Sequence, residues 1–599
     1  MKKLLSWILL VIMIAAVFAG CGKKTAETTE STLIQPENAT LWYGYNTERF
    51  MQDTLYTEEM ESRDYTLRMY GIRGDVESVQ LMITPDEDVS VYRFEVNDLV
   101  NDQGKRLSKK KMEVFAQWYV NVEASYNTSA GYGYYPDALV PISVMEKQKL
   151  NTISAGMNQG IWINVTIPEN TAPGLYQGVC KLQLDEEVYE IPMELTVYDA
   201  TMPEEVHARS CFLIWYDCME RAEGSYSGPI AQAYYDLLIQ KRIMPMFPES
   251  SITNNYDTFV TWVVNNVAEN PKVSAYALPS ASESDENGNL ILSRSKVMEL
   301  LTKLAVKNVL LRQAGNGDID LFQKAYYYII DEPTGQALEL VKVYDLILTE
   351  CKFAVADAYL KDYPDLYNSL VGLPHIVTTA YNEDLIGSDT QGGVHTWCPQ
   401  FQFWQTQAQR DQYHERQNTT DRLMGEGAWW YGCNNPAAPF PTYHLDDELI
   451  APRVLSWMQY DYGCEGNLYW CVNYSQADMW ENAYEIGGAV GEGNLTYPAS
   501  KFGLKAPLST LRLESIREGC EDYEYFWMIE QMILEYNGDH GTDYDPEELM
   551  VSLYEDLYDG MIPTRGEPEL FMERRLTVLE ILELMTADPA SAIAKLQAK

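Results

Sequence analysis

The chain is short of positive charge. Against 88 aspartates and glutamates it sets 44 lysines and arginines, a formal net charge of −44 at pH 7. Such a field repels phosphate backbones and anionic lipid surfaces, which excludes nucleic acid as a partner and favours a neutral substrate. Histidine is scarcer still: the six copies include no HExxH and no paired spacing, so no metal site is expected. The ten cysteines lie scattered without CxxC spacing, and Cys211, Cys433 and Cys471 sit in apolar runs as small hydrophobes, which argues against a disulfide framework. No GxGxxG follows the first strand of the α/β pattern described below, so no dinucleotide site and no cofactor are expected. Phenylalanine (15) is rare beside tyrosine (43) and tryptophan (14). That bias toward aromatics with a polar edge suits stacking on sugar faces while bonding their hydroxyls.

Long hydrophobic runs are also lacking, with one exception. Lys2 and Lys3 precede an apolar stretch, Leu4 to Phe18, too short for a comfortable span, so residues 1–20 read as an export signal. Ala19-Gly20-Cys21 resembles the bacterial lipobox, with Phe18 where that pattern usually has leucine. The resemblance implies lipidation of Cys21 and a cell-surface, extracytoplasmic protein anchored to the bacterial membrane. Residues 21–38 are polar and without period, which predicts a flexible tether.

From residue 39 to 202 short runs alternate with period two. Ile161, Ile163, Val165 and Ile167 share one face, Pro173-Gly174 turns the chain, and Ile191, Met193, Leu195 and Val197 share a face again. This predicts an antiparallel β-sandwich. After Met202-Pro203 apolar strand-like runs alternate with helical stretches, which predicts a (β/α)8 TIM-type barrel over 203–530. Its strands are expected at Ser210–Trp215, Met244–Phe247, Val273–Leu278, Ala325–Ile330, Ile376–Ala380, Val394–Trp397, Ala428–Gly432 and Asn467–Val472. Helices are expected at Ala231–Arg242, Arg294–Leu311, Gln336–Ala356, Asp447–Tyr462 and Glu521–Tyr536, with a C-terminal helical extension over 531–599.

In such a barrel chemistry sits at the carboxyl ends of strands. The fourth strand ends in Asp331-Glu332-Pro333, two adjacent acids at the mouth, with Pro333 expected to hold Glu332 extended. Taken as a bare dipeptide, the pair could equally cap the following helix. A glycosidase normally needs a second carboxylate on another element. The seventh and eighth strand ends supply aromatics and amides instead, while Glu383, Asp384 and Asp446-Asp447 stay open as partners. A substrate-assisted route, in which the sugar's own 2-acetamido oxygen attacks the anomeric carbon, needs no second nucleophile.

Longer motifs carry a resemblance. Trp457-Met-Gln-Tyr-Asp-Tyr-Gly463, Gly466-Asn-Leu-Tyr-Trp470, Gly491-Glu-Gly-Asn-Leu-Thr-Tyr-Pro498 and Leu511-Arg-Leu-Glu-Ser-Ile-Arg-Glu-Gly519 resemble the domain-of-unknown-function family 4091, which includes the catalytic region of glycoside hydrolase family 123. Upstream, Tyr135-Pro-Asp-Ala-Leu-Val-Pro141 and Pro173-Gly-Leu-Tyr-Gln-Gly178 are similar to that family's β-sandwich. The resemblance implies a retaining β-N-acetylgalactosaminidase, a glycan substrate, Glu332 as general acid and base, and Asp331 as the group that orients the acetamide. It also points to Tyr381, Trp397, Trp430, Tyr431, Trp470 and Asn473 as substrate-binding, although strand alternation forbids all of them from facing one pocket. Arg453, Arg512 and Arg517 are expected to pair and pack, and Trp480 and Glu492, in the loop after the eighth strand, to be solvent-exposed with the rim as the alternative. A glycosidase with a carboxylate nucleophile and a non-catalytic glycan-binding lipoprotein are the alternatives.

Overall fold

Alternating apolar residues leave a strand one face to bury, and the N-terminal third does so in two sheets. The computed structural model describes residues 35–598 apart from 58–59, 61–62, 124, 126, 128–130, 225–227, 287–289, 318, 420–421, 424, 475–478 and 484. The export signal, Cys21 and nearly all of the tether therefore lie outside the described residues. One sheet orders Ala39–Gly44, Val76–Pro85, Gln159–Thr166, Met112–Val122 and Gly133–Pro141, all antiparallel. The other is built on Gly174–Leu184 and Glu187–Thr201, paired antiparallel through eleven residues from Gly174↔Val197 to Leu184↔Glu187. It departs from the expected pattern at its edge, where Leu67–Arg73 runs parallel to Glu187–Thr201.

The first sheet is buried on both faces. Ile161, Ile163 and Val165 bury the apolar side, but Trp162 and Asn164 between them are buried too. What covers them is the helix Leu511–His540, whose N-cap Thr510 accepts from the Leu513 amide. Sequence periodicity finds only the second half of that helix, because its first turns are buried all round and carry charges with no polar stripe. Those charges meet partners on the sheet: Arg512 pairs with Asp137, Arg517 bonds Ser78, and Glu514 reaches Asn164. Arg453, Arg512 and Arg517 are thus ion-paired scaffold residues. The helix also runs straight through residue 530, where the sequence reading ends the barrel.

Glu514 makes this seam sensitive to acid. Burial raises its pKa, but Lys241 at 2.6 Å, Arg517 and Ser509 outweigh burial and hold it at about 2. A carboxyl lowered from an unfolded value near ~4.3 gives stability that is complete above that pH and is lost as pH falls toward 2, on the order of 3 kcal/mol. Urea midpoints measured from pH 6 to pH 2.5 should fall more steeply for the native chain than for Glu514→Gln. Parallel curves would show that Glu514 does not carry the slope.

Beyond residue 203 the pairing is parallel, but the strands form two sheets and not one closed barrel. Ser210–Phe212, Asn467–Tyr469 and Trp430–Gly432 make one; Tyr276–Ala277, Ala325–Ile330, His375–Val377, Thr396–Trp397 and Gly427–Ala428 make the other. The expected seventh strand is split between them at Trp429. The expected second strand, Met244–Phe247, is not a regular strand: Pro245 brings no N–H, and the segment makes a single bridge to Phe212. It still touches both sheets, since Met246 N–H donates to Phe212 O (3.0 Å) and Ala277 N–H to Met246 O (3.2 Å). Several strands are shorter than their apolar runs, which extend into the loops beyond. The helices fall where expected, at Gly228–Gln240, Arg294–Gln313, Ala337–Tyr359 and Ile450–Asp461, with Pro568–Ala587 and Pro589–Gln597 closing the chain. Among the described residues no helix is long and apolar enough to cross a membrane.

Candidate active site

The strand Ala325–Ile330 delivers the acids. Tyr327 is buried on one face, while Tyr326 packs its ring 5.5 Å from Trp429 on the other, the face that Tyr328 shares by alternation. Past Ile330 the chain leaves the sheet, and Asp331 and Glu332 are both exposed. Glu332 is not extended as its proline neighbour suggests; its φ is +41°, in the left-handed region. That backbone costs a non-glycine residue about 1–2 kcal/mol. Three hydrogen bonds around the pair hold it there. The Glu332 amide donates to Thr378 Oγ1 at 2.7 Å, the Thr378 hydroxyl donates to Asp331 Oδ1 at 2.9 Å, and Tyr431 Oη donates to Glu332 Oε1 at 2.5 Å. Two neighbours on a regular strand would point to opposite faces, and the left-handed φ at Glu332 takes the pair out of that alternation.

Asp331 is held through one oxygen. Tyr328 Oη joins Thr378 on Oδ1, at 2.7 Å, and among the described residues no protein donor reaches Oδ2. Burial, and then the adjacent carboxylates Asp331 and Glu332, push the phenols of Tyr328 and Tyr431 well above their ordinary value, so both stay protonated donors. A polar cavity of about 540 Å³ opens beside Tyr328, walled by Asn254, Asn255, Ser280 and Lys296.

The other expected site residues divide. Tyr381, past the strand His375–Val377, is half-buried and lies 5.4 Å from the Trp397 ring. Trp397 and Trp430 are fully buried, so the expected substrate-binding role for them gives way to packing. Trp397 donates its indole N–H to Glu426 at 2.8 Å, and Trp430 sits edge-on to Phe401 and Trp404. Strand alternation marks two faces without saying which one meets the pocket. Tyr431 belongs to the site through Glu332 and not through a free face. Asn473 is buried, with its amide engaged by the backbone of Trp215 at 2.9 and 3.1 Å. Trp470 is half-buried and edge-on to Trp215 at 5.4 Å; Trp215 is 41% exposed.

Trp480 and Glu492 are both buried, against the expected exposure. Glu492 accepts from Tyr469 Oη at 2.9 Å and from the Trp470 indole at 2.5 Å. Tyr328 and Thr378, which hydrogen-bond the acid pair, are residues that periodicity misses. Tyr328 was discoverable as an inward neighbour of the acids on their own strand, whereas a lone threonine beyond an apolar run carries no signal. Of the possible second carboxylates, Asp447 is buried and paired with Arg565 at 3.1 Å, and Glu383 and Asp384 lie exposed on a separate turn.

Two family models match the chain: the glycoside hydrolase 123 N-terminal domain over residues 44–184 and the glycoside hydrolase 123 catalytic domain over residues 318–529. No curated protein sequence matches. Among solved structures, a family 123 glycoside hydrolase from Clostridium perfringens, studied for glycolipid glycan hydrolysis, is 14% identical. The alignment covers 92% of this chain and 99% of that one with a TM-score of 0.64, which shows a shared fold. A β-glucuronidase from Parabacteroides merdae aligns over 77% of this chain and 51% of its own at 6% identity, with a TM-score of 0.25.

Proposed function

The chain belongs to glycoside hydrolase family 123, and from that premise we propose that it is a retaining β-N-acetylhexosaminidase, acting on terminal N-acetylgalactosamine by substrate assistance. The observation that carries this reading is the division of labour between two adjacent acids. Asp331 is fixed through Oδ1 and offers Oδ2, while Glu332 is fixed through Oε1 and offers Oε2. Asp331 Oδ2 would accept the acetamido N–H, aiming its carbonyl oxygen at the anomeric carbon. That oxygen forms the new C–O bond as the glycosidic bond breaks, and Glu332 gives its proton to the departing oxygen. In the second step Glu332 takes a proton from water, which opens the oxazolinium ion and restores the β-anomer. Net retention follows from the two inversions.

Supporting this reading, Asp447 is tied into an ion pair and Glu383 and Asp384 stand on a separate turn. The two parallel sheets, joined through Met246, we read as arcs of a distorted (β/α)8 barrel, and the partly exposed Trp215 with Trp470 as the platform for a sugar face. A glycan on a glycolipid would suit a protein anchored outside the membrane through Cys21. A thiazoline analogue of N-acetylgalactosamine should inhibit competitively, and the first product released should be the β-anomer by NMR. An α-anomer would overturn the mechanism. Tyr431→Phe is expected to lower kcat about 10-fold with little change in KM, because it frees the general acid without touching the sugar. A change confined to KM would place Tyr431 on the substrate instead.

A further inference from the structure

The polar cavity of about 540 Å³ takes no part in the proposed proton transfers, yet one of its walls is the tyrosine that holds Asp331. It lies outside the carboxyl ends of three neighbouring segments. Phe247 closes Met244–Phe247, Ser280 follows the strand Tyr276–Ala277, and Tyr328 belongs to Ala325–Ile330. Tyr276–Ala277 and Ala325–Ile330 pair in the sheet that carries the acids, whereas Trp215 and Trp470 follow strands of the other sheet. Since Tyr328 Oη bonds Asp331 Oδ1 at 2.7 Å, the cavity adjoins the acid pair.

Its polar groups are open to solvent: Asn254, Asn255, Ser280 and Lys296 are all exposed. Asn255 Oδ1 caps the helix Tyr256–Val263 by accepting from the Thr258 amide at 3.0 Å, which leaves its Nδ2 as a donor. Lys296 Nζ donates to Ser282 O at 2.6 Å, which fixes the ammonium and leaves it further N–H groups. The turn from Ser280 to Ser282 is strained. Ala281 has φ +51°, at a cost of about 1–2 kcal/mol, and the Ser293 amide holds it by donating to Ala281 O at 3.0 Å. Backbone strain of this kind gathers at ligand-binding loops. Phe247 and Tyr256, both half-buried, add aromatic surface.

Hydroxyl, amide and ammonium donors beside two aromatic rings match the mixed O–H and C–H surface of a saccharide. An acidic sugar fits less well, because Asp257 and Glu299 share the wall with the single Lys296. Position says which saccharide. In a 2-acetamido sugar the acetamide and the glycosidic oxygen stand on adjacent carbons, so the acids that serve them mark the reducing edge of the ring. What adjoins those acids receives the leaving group. The volume lies within the roughly 300–1,000 Å³ of small-molecule sites, room for about two sugar rings.

We infer that this cavity binds the leaving group, a neutral saccharide, through Asn254, Asn255, Ser280 and Lys296; the inference rests on the catalytic reading above. Kinetics of the full chain on an aryl N-acetylgalactosaminide and on a trisaccharide in which N-acetylgalactosamine is β-linked to lactose test it. Asn254→Ala and Lys296→Ala should each lower kcat/KM on the trisaccharide by about 5-fold relative to the aryl glycoside, as expected for one lost hydrogen bond. Both should melt with the native chain, since the side chains are exposed. Equal losses on the two substrates, or no loss on either, would overturn the inference, as would faster turnover when a uronic acid replaces the first leaving sugar. Failure of the catalytic reading looks different, because the native chain would then hydrolyse neither substrate. In that event titration of the trisaccharide into Glu332→Gln decides the role of the cavity. Binding tighter than that of N-acetylgalactosamine, and weakened when Asn254→Ala is added, supports it; equal affinity for the two sugars, or no binding, overturns it.

Discussion

Glu332→Gln is expected to lower kcat/KM on a glycoside with a sugar leaving group by about 10³-fold, and Asp331→Asn by a comparable factor, yet the two losses should differ in kind. A positioned general acid contributes roughly 10²–10⁴ when the leaving group needs a proton. Glu332→Gln keeps the Tyr431 hydrogen bond at Oε1 and removes only the transferable proton. Its defect should shrink on an activated aryl glycoside whose phenolate leaves unaided, until opening of the oxazoline by water becomes limiting. In the proposed mechanism Asp331→Asn replaces the acceptor of the acetamido N–H by an amide of nearly the same shape. The Tyr328 and Thr378 hydroxyls can still bond its oxygen, so the free position becomes an NH₂ that faces the substrate N–H, donor against donor. That defect should persist with every leaving group and should weaken the thiazoline. Measuring both variants on one activated and one unactivated substrate separates the roles. Equal losses on both substrates for Glu332→Gln would remove it as the acid.

The acid pair was legible because its context is written locally: an apolar run of strand length ending in Asp-Glu-Pro. What holds the pair in place was not. Thr378 enters through one hydroxyl from just past the strand His375–Val377, 47 residues beyond Asp331, and Glu332 adopts φ +41° against the preference of a residue before proline. Tertiary hydrogen bonds overrule that preference, and no window of sequence contains them. The aromatics show a similar limit. Trp430 and Tyr431 are adjacent, and period two states that they diverge, but only the packed 3₁₀ turn Phe401–Trp404 decides that Trp430 takes the inner layer while Tyr431 takes Glu332. The parallel α/β pattern was readable down to most helix positions. Its closure was not, because Pro245 interrupts one strand and Trp429 divides another between sheets. The first turns of Leu511–His540 escaped for the opposite reason: they bury charge, and a helix that is charged and buried has no stripe for periodicity to find.

Arg512 shows how much rests on those invisible turns, and Arg512→Met is expected to destabilise the fold by about 3–5 kcal/mol. Its guanidinium forks onto Asp137 through Nε and Nη2 at 2.9 and 2.7 Å and gives Nη1 to the carbonyls of Tyr443 and Gly491, both at 2.7 Å, with a further bond to Asn494 O. One side chain thus joins the strand Gly133–Pro141 to the loop that carries Glu492. Methionine matches the volume but strands Asp137 as a buried, unpaired carboxylate and leaves the carbonyls without a donor. Lysine should rescue little, since a single ammonium cannot serve a bidentate carboxylate and carbonyls on other sides at once. Removing the orphaned charge should help more: Arg512→Met with Asp137→Leu is expected to recover a measurable part of the loss, so that the two costs do not add. Urea unfolding of the three variants decides it, and a methionine variant within 1 kcal/mol of the native chain would show that the pair contributes nothing net. Activity should fall as well. Glu492 lies between the two loop residues whose carbonyls Arg512 holds, and it bonds the Trp470 indole, so loosening the loop displaces one half of the Trp215–Trp470 pair.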